Sequence, residues 1–427
     1  MLFLINIFVF ILVAIKFKRS FASLPGFSYA TLVIFGVPGS YIVLNIDDWW
    51  LRDISLDSIE IGYYIYNSLI LLTSGLVTIY LINETKKKQY KYIIIYKNKD
   101  DLIFLISAIA IFFIAIIFLF PDSPLYNLIN NPSIDALILA ELRGKMRPSY
   151  EMNILLVYFK NIFINYYLFY ILIYFSIQRL VFGYGGRMFI IVLFITLFCF
   201  SLDLAKSPIL HITIALAMIE FYFKGLNIMK IILFISIGLF SLVSLYIFVM
   251  GAHGIETIEM ILHRTFIAQY AGFPITLDIF PRLHPHTMWY TTTGLLSKLY
   301  GVEPAFYSKI AMEFVNPEHS ATGSAGFMST VAFAEGYAAN GLIGLFSAYI
   351  MIVIFVFLFS RARYAVELKY VSMHILLLNT IPYLMMDSTS SIVINYGVYF
   401  IFFVILLIRI FSFHFSKSKG IKRIAIY

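Results

Sequence analysis

Apolar runs dominate the chain and alternate with short polar stretches. A helix needs about 20 apolar residues to cross the hydrocarbon core of a bilayer, so each long run predicts a transmembrane helix. The predicted spans are residues 1–16, 27–45, 60–82, 102–120, 153–176, 188–203, 207–223, 229–250, 328–359, 370–386 and 389–410. We therefore expect an all-α, polytopic integral membrane protein of about 11 transmembrane helices, with residues 1–427 forming a single membrane domain.

Composition excludes a water-soluble protein. Hydrophobic residues make up 61% of the chain and charged residues only 13%, whereas soluble domains carry roughly 25% charge. The net charge of +8 does not indicate nucleic-acid binding, because loops that set membrane orientation explain most of the excess.

The distribution of Lys and Arg predicts the orientation. Of the 31 basic residues, 21 fall in loops on one side of the predicted spans and 9 on the other, while Lys160 lies within a span. Since cytoplasmic loops carry the positive excess, we expect a cytoplasmic C-terminus and an N-terminus outside. Two polar stretches then lie outside: a smaller loop at residues 121–153 and a large helical loop at residues 252–327.

The large loop begins with an amphipathic pattern. Ile255, Ile258, Leu262 and Phe266 share one helical stripe, which predicts a helix lying along the membrane surface. The opposite face carries His263 and Arg264, together with Glu256 and Glu259. This face could hold a metal through its Glu and His side chains, bind a phosphate through Arg264, or carry plain surface charge; the missing further ligand pattern disfavours the metal.

Several outward cations are candidates for binding an anion. Arg143 and Arg147 belong to a cluster of three cations within residues 143–147, and Lys206 lies at an outer membrane edge next to Asp203. Lys206 could pair with Asp203 or contact a lipid phosphate. Arg282 and His284 stand among prolines that stiffen their loop.

Two titratable residues near the end of the large loop are candidates for proton transfer. His319 precedes a run of small residues, Ala321 to Gly326, and Glu335 lies at the mouth of the next span. Histidine suits proton transfer near neutral pH, and a charge close to lipid is usually functional. A buried structural carboxylate is the alternative for Glu335. Small residues after it, such as Gly336 and Gly344, allow helices to approach closely.

The order of these features resembles the Wzy-type O-antigen polymerases. The resemblance rests on DLAKSPI between middle spans, the long outer loop, and HSATGSAGF running into FAEGYAANGLIGL. It covers residues 200–350 by motif and the whole chain by architecture. It implies a multi-pass protein of the bacterial inner membrane that polymerises oligosaccharide repeat units carried on undecaprenyl diphosphate, with no metal or other cofactor.

The resemblance also implies roles for the candidate residues. Outer-loop arginines would hold the lipid diphosphate, for which the sequence offers Arg264, Arg282, Arg143 and Arg147. Lys206 and His284, candidates from their own positions, complete the predicted substrate-binding set. His319 or Glu335 would take the proton of the acceptor hydroxyl. Expected partners are undecaprenyl-diphosphate-linked glycans, membrane lipid, a chain-length regulator and a flippase. The alternative functions are an O-antigen ligase, which uses the same donor, and a glycolipid flippase or other transporter.

Overall fold

Helices make up nearly all of the regular structure, as the apolar runs predict. The structure is a computed structural model that describes residues 1–21, 23–46, 48–85, 91–96, 99–132, 134, 138–139, 142, 156, 159–204, 207–224, 233, 236, 240, 243, 247, 255–291, 297, 300–303, 305–318, 328, 330–361, 367–386 and 421–426. The predicted spans 229–250 and 389–410 therefore lie almost wholly outside the described residues.

Sixteen helices and two strands follow one another in the described residues. The helices are α1 (Leu2–Lys16), α2 (Lys18–Phe21), α3 (Leu24–Thr31), α4 (Val37–Asn45), α5 (Leu56–Thr85), α6 (Lys99–Phe118), α7 (Pro124–Asn130), α8 (Phe169–Leu180), α9 (Gly186–Ser201), α10 (Ser207–Lys224), α11 (Ile255–Leu262), α12 (Ala268–Tyr270), α13 (Gly272–Ile279), α14 (Tyr307–Val315), α15 (Ala334–Ser360) and α16 (Leu368–Leu384). Turns of π-helix occupy Leu32–Gly36, Lys160–Leu168 and His263–Ile267, and the strands are β1 (Lys91–Tyr96) and β2 (Ile421–Ile426).

Five helical stretches among the described residues are long and apolar enough to cross a membrane. They are Leu24–Asn45, Leu56–Thr85, Asp100–Phe118, Lys160–Leu180 and Ala334–Ser360. Large apolar side chains face outward on them: along α15, Ile343, Ile350 and Ile354 are 82%, 55% and 54% exposed. Such exposed apolar surfaces favour contact with lipid rather than with water. The chain is thus a membrane protein, while the number of 11 spans stays a prediction.

The chain divides into two compact units. Unit 1 comprises Met1–Lys88, Ala252–Ser360 and Thr380–Asn395, and unit 2 comprises Gln89–Gly251, Arg361–Asn379 and Tyr396–Tyr427. In unit 1 a buried amide links three helices: Asn67 on α5 accepts from Asn6 Nδ2 at 3.0 Å and donates to Ser40 Oγ at 3.0 Å. Such interhelical hydrogen bonds hold helices together where lipid offers no competing partner.

Unit 2 ties several segments together at one end. Asp101, at the start of α6, accepts from Tyr174 at 2.8 Å and from Gln178 at 2.6 Å, and Lys369 lies 3.8 Å from Asp100. Strand β1, just before α6, pairs antiparallel with β2. This pairing brings Lys91–Tyr96 beside Ile421–Ile426 within unit 2.

Lys160, the only cation predicted within a span, is paired with a carboxylate in unit 2. Lys160 forms an ion pair with Asp203, and the two side chains are 11% and 24% exposed. Charges at membrane depth are stable mainly when paired inside the protein. Asp203 thus pairs with Lys160, whereas Lys206, the partner considered from the sequence, lies outside the described residues.

Candidate functional site

The large loop enters unit 1 rather than staying in water along its whole length. Ile258 and Leu262 are exposed on α11, and the placement of this helix along the membrane surface stays a prediction. From Ala268 to Phe280, however, every described side chain except Gln269 is buried. This part of the predicted aqueous loop is therefore a packed part of the core.

The buried segment descends between the helices and returns. His263 bonds to Asp48, just beyond α4, whereas the Tyr270 ring meets the Tyr66 ring at 5.3 Å. Tyr66 lies about 15 Å along α5 from the start of that helix. Asp278, further along the segment, contacts Ser55, which lies immediately before α5. Residues 263–279 are therefore re-entrant relative to α5, because they enter the helices of unit 1 and return to the same end of that helix.

The descending limb is anchored to the turn between α4 and α5, which we call the α4–α5 turn (residues 46–55). His263 Nε2 lies 2.9 Å from Asp48 Oδ2, and Trp50 packs edge-on against the imidazole at 5.0 Å. Burial acts to raise the pKa of Asp48, but the hydrogen bonds from His263 and Trp50 N–H and the nearby charges of His263 and Arg52 hold it below its ordinary value. This anchor leaves the adjacent Arg264 exposed.

The returning limb is anchored to the same turn by Asp278. Its Oδ1 accepts from Ser55 Oγ at 2.5 Å, Ser55 N at 3.3 Å and Ser58 Oγ at 3.1 Å. Its Oδ2 forms an ion pair with Arg282. Burial acts to raise the pKa of Asp278, yet the hydrogen bonds from Ser55, Arg282 and Ser58 outweigh it and lower the pKa. Asp278 is therefore an ionised carboxylate enclosed by donors.

A second re-entrant segment carries Glu335. Helix α15 is interrupted at Asn340 and Gly341, where Gly341 takes φ 61° and ψ −147°, a conformation open to glycine. The chain reverses there, and the close approach of Gly336 and Gly344 shows it. A Cβ added to Gly336 would lie 2.2 Å from the Gly344 carbonyl oxygen, and one added to Gly344 would lie 2.0 Å from the Gly336 carbonyl oxygen. Residues 334–339 and 342–360 thus form a hairpin, and only the second limb is long enough to cross the bilayer.

The two re-entrant segments meet in an aromatic cluster. Phe333, just before the short limb of the hairpin, packs 5.5 Å from Phe273 and 6.0 Å from Tyr66 between ring centroids. Glu335 is only 1% exposed, and it interacts with other groups of the protein. Instead of standing at the mouth of a continuous span, as the sequence predicts, Glu335 lies on the buried limb of a hairpin.

Residues 284–291 cover the tip of this hairpin. Thr287 N donates to Ala338 O at 2.9 Å, Met288 N donates to Ala339 O at 3.3 Å, and His286 Nδ1 lies 3.2 Å from Ala338 O. The helix break frees these carbonyl groups, and the loop satisfies them. His284 instead bonds to the neighbouring Pro285 carbonyl at 2.8 Å.

Four of the predicted site residues are described, and all four belong to unit 1. Arg264 and Arg282 lie by the two anchors on the α4–α5 turn, His284 lies beside the hairpin tip, and Glu335 is buried in the hairpin. His319, Arg143, Arg147 and Lys206 lie outside the described residues. Sequence reasoning did not find Asp48 and Asp278. For Asp278 a signal existed, since a carboxylate inside an apolar run four residues before Arg282 has the spacing of a helical ion pair.

Comparisons with known proteins do not assign a family. No family model, curated protein or solved structure matches the chain.

Proposed function

We propose that the chain is a membrane glycosyltransferase that polymerises undecaprenyl-diphosphate-linked repeat units into O-antigen or a related surface polysaccharide. The proposal takes the outer face of the bacterial inner membrane as the place of reaction. The observation that supports it is the pair of exposed arginines, Arg264 and Arg282, which lie beside two anchors on one turn of the unit that also holds Glu335. Arg264 is exposed, and the Arg282 side chain is 53% exposed.

The reaction needs a cation where charge develops. The acceptor hydroxyl oxygen bonds to the anomeric carbon of the donor sugar while the bond from that carbon to the diphosphate oxygen breaks. The diphosphate leaves with the bonding electrons, and the hydroxyl proton passes to a base. Guanidinium groups suit the leaving diphosphate because they bind it in a bidentate way and stay charged.

The proton acceptor that we propose is His319, with Glu335 in second place. A general base must reach the reacting hydroxyl within hydrogen-bond distance. The near-complete burial of Glu335 supports its second place, since a carboxylate enclosed in a hairpin also serves helix packing. Arg143, Arg147, Lys206 and His284 remain proposed contacts to the lipid-linked glycan.

A glycolipid flippase is the second candidate, because unit 2 buries polar side chains within apolar helices. His211 Nδ1 lies 3.0 Å from Asn379 Oδ1, and Asn379 Nδ2 donates back to His211 O at 3.1 Å. His374 is also fully buried on α16. Ionisable residues at membrane depth often mark a transport path. An O-antigen ligase would use the same arginines on the same donor.

Deleting the gene separates the three functions. Loss of a polymerase leaves lipopolysaccharide core bearing a single repeat unit. Loss of a ligase leaves core without any repeat unit, and loss of a flippase leaves lipid-linked repeat units on the cytoplasmic face. Gel analysis of lipopolysaccharide, with mass spectrometry of lipid-linked intermediates, distinguishes these products. Either of the last two patterns would reject the polymerase.

A further inference from the structure

Asp278 holds Arg282 by one edge. Arg282 Nε donates to the Asp278 backbone oxygen at 3.3 Å, and its Nη2 pairs with the Asp278 carboxylate. A guanidinium has five N–H donors, so these two contacts leave three. Within the described residues, no other side chain or backbone group accepts from them. The free edge thus belongs to a side chain that is 53% exposed.

Asp278 is itself fixed from the opposite direction. Its side chain is 3% exposed, and its Oδ1 accepts the two hydroxyl groups and one backbone N–H of Ser55 and Ser58 described above. These donors come from the α4–α5 turn and the first turn of α5, so the carboxylate cannot follow Arg282 if the arginine moves. At metal sites, removal of a partner that orients a ligand side chain costs about 10-fold to 100-fold in affinity, and we take the lower end of that range as a guide for an oriented guanidinium.

We propose that Asp278 is a positioning residue that presents the free edge of Arg282 to a diphosphate group. The inference rests on the proposed function, since it takes the lipid-linked donor as the ligand. A guanidinium held in place loses less conformational entropy on binding, and its planar edge matches two oxygens of a phosphate. The opposite role is also physically clear: an Asp278 that competes with the ligand for Arg282 would weaken binding.

A double-mutant cycle on the purified full-length protein in detergent tests the role. The probes are farnesyl diphosphate and inorganic pyrophosphate, and the measurement is the dissociation constant of each. Arg282→Ala should weaken binding of the prenyl diphosphate by about 10-fold to 150-fold, and Asp278→Asn by about 10-fold. In the Arg282→Ala background, Asp278→Asn should change binding by less than about twofold.

The protein offers a matched control for the loss of charge. Lys309 and Glu313 form an i,i+4 pair at 3.5 Å with both side chains about half exposed, so Glu313→Gln repeats the chemistry of Asp278→Asn in an ion pair that includes neither Asp278 nor Arg282. It should leave binding unchanged. Ser58→Ala removes one hydrogen bond to the carboxylate without changing charge, and it replaces Asp278→Asn if that variant does not fold.

The sign of the effect decides between the two roles. Tighter binding by Asp278→Asn, unchanged binding, or an equal loss in the presence and absence of Arg282 would each overturn the proposal. If the substitutions weaken binding of pyrophosphate and farnesyl diphosphate equally, the site recognises the diphosphate group whether or not it carries a lipid. If they weaken binding of farnesyl diphosphate alone, the site recognises the lipid-linked form. If Asp278 and Arg282 prove coupled in binding but the protein does not polymerise glycans, the proposed function is rejected and the positioning role is kept.

Discussion

The two units use charged side chains in opposite ways. In unit 2, Lys160 and Asp203 pair with each other inside the protein, and Asp101 accepts from two buried partners on α8. In unit 1, Asp48 and Asp278 are buried in the same manner, but the arginines near them stay exposed to the surroundings. The first arrangement encloses both charges, whereas the second leaves positive charge exposed, as the proposed donor site requires.

The largest expected effect is all-or-none and concerns the side that the arginines of unit 1 face. A topology reporter fused at Ser297 should be active outside the cytoplasm, and one fused at Ala365 should be active inside, because Lys and Arg concentrate in cytoplasmic loops. Alkaline phosphatase and green fluorescent protein fusions measure the two signals. Reversed signals would place the arginines in the cytoplasm and remove their proposed ligand.

The next effect tests proton transfer. Loss of a general base typically lowers the rate about 10²-fold to 10⁴-fold, so His319→Ala should yield mostly single-repeat product at normal membrane levels. Glu335→Gln keeps a hydrogen-bonding side chain but removes a base, and should retain activity if the carboxylate is structural. Lipopolysaccharide gels measure both variants. Full activity in both would place the proton acceptor elsewhere.

Unit 2 should respond in stability. Asp203→Ala removes a carboxylate that pairs with Lys160, and because the Asp203 side chain is 24% exposed the cost should lie below the roughly 3–5 kcal/mol of a fully buried pair. Replacing both, as Lys160→Met with Asp203→Leu, should recover much of the loss. Thermal unfolding in detergent measures the difference. If Asp203→Ala unfolds at the normal temperature but the protein no longer polymerises glycans, the contrast between the two units is wrong, because unit 2 would then take part in the reaction.

The arginines should respond in activity. Arg264→Ala should change stability little, whereas Arg282→Ala should also lower stability because it removes one partner of the buried Asp278 carboxylate. Arg264→Ala and Arg282→Ala each remove charge-assisted hydrogen bonds worth roughly 1.5–3 kcal/mol, and Lys should rescue only partly because it lacks the planar fork. Polymerisation by membranes containing equal amounts of each variant is the measurement. Arg143→Ala and Arg147→Ala belong in the same series, and a larger loss there would move the donor site away from unit 1.

The smallest effect concerns pH. Because the pKa of Asp278 is lower in the folded than in the unfolded chain, its ionised form stabilises the fold above the ordinary value of about 4. That stabilisation is lost only as the pH falls through the lowered value. Lowering the pH from 7 to about 5 should therefore leave the affinity difference between parent and Asp278→Asn unchanged. A difference that disappears in this range would contradict an ionised Asp278.

Local pattern was sufficient to predict the long helices but not the re-entrant segments. The runs predicted at 27–45, 60–82 and 102–120 coincide with helices because about 20 consecutive apolar residues have few alternatives in a bilayer. The segment 263–279 is equally apolar in its second half, yet its burial depends on contact with Tyr66, some 200 residues away. The hairpin had a local sign, the Asn340–Gly341 pair, whose glycine adopts positive φ.

The polar anchors were the hardest part of the site to predict. Arg264 and Arg282 stand out in the sequence because the predicted topology places most Lys and Arg on the other side, whereas Asp48, Ser55 and Ser58 look like ordinary turn residues. Their importance arises from the partners that they meet in the fold. The pairing of β1 with β2 is similar, since the run KYIIIY favours a strand but does not specify a partner more than 300 residues away.

The break at Gly341 also determines the depth of a carboxylate. If residues 334–360 formed one continuous helix, residue 335 would project about 9 Å beyond Gly341, since each residue adds 1.5 Å along the axis. The reversal carries Glu335 a similar distance the other way, so the two conformations differ by about 18 Å. Two residues thus decide whether this acid group extends beyond the break or stays buried in the hairpin, and Asn340→Ala with Gly341→Ala would favour the extended form.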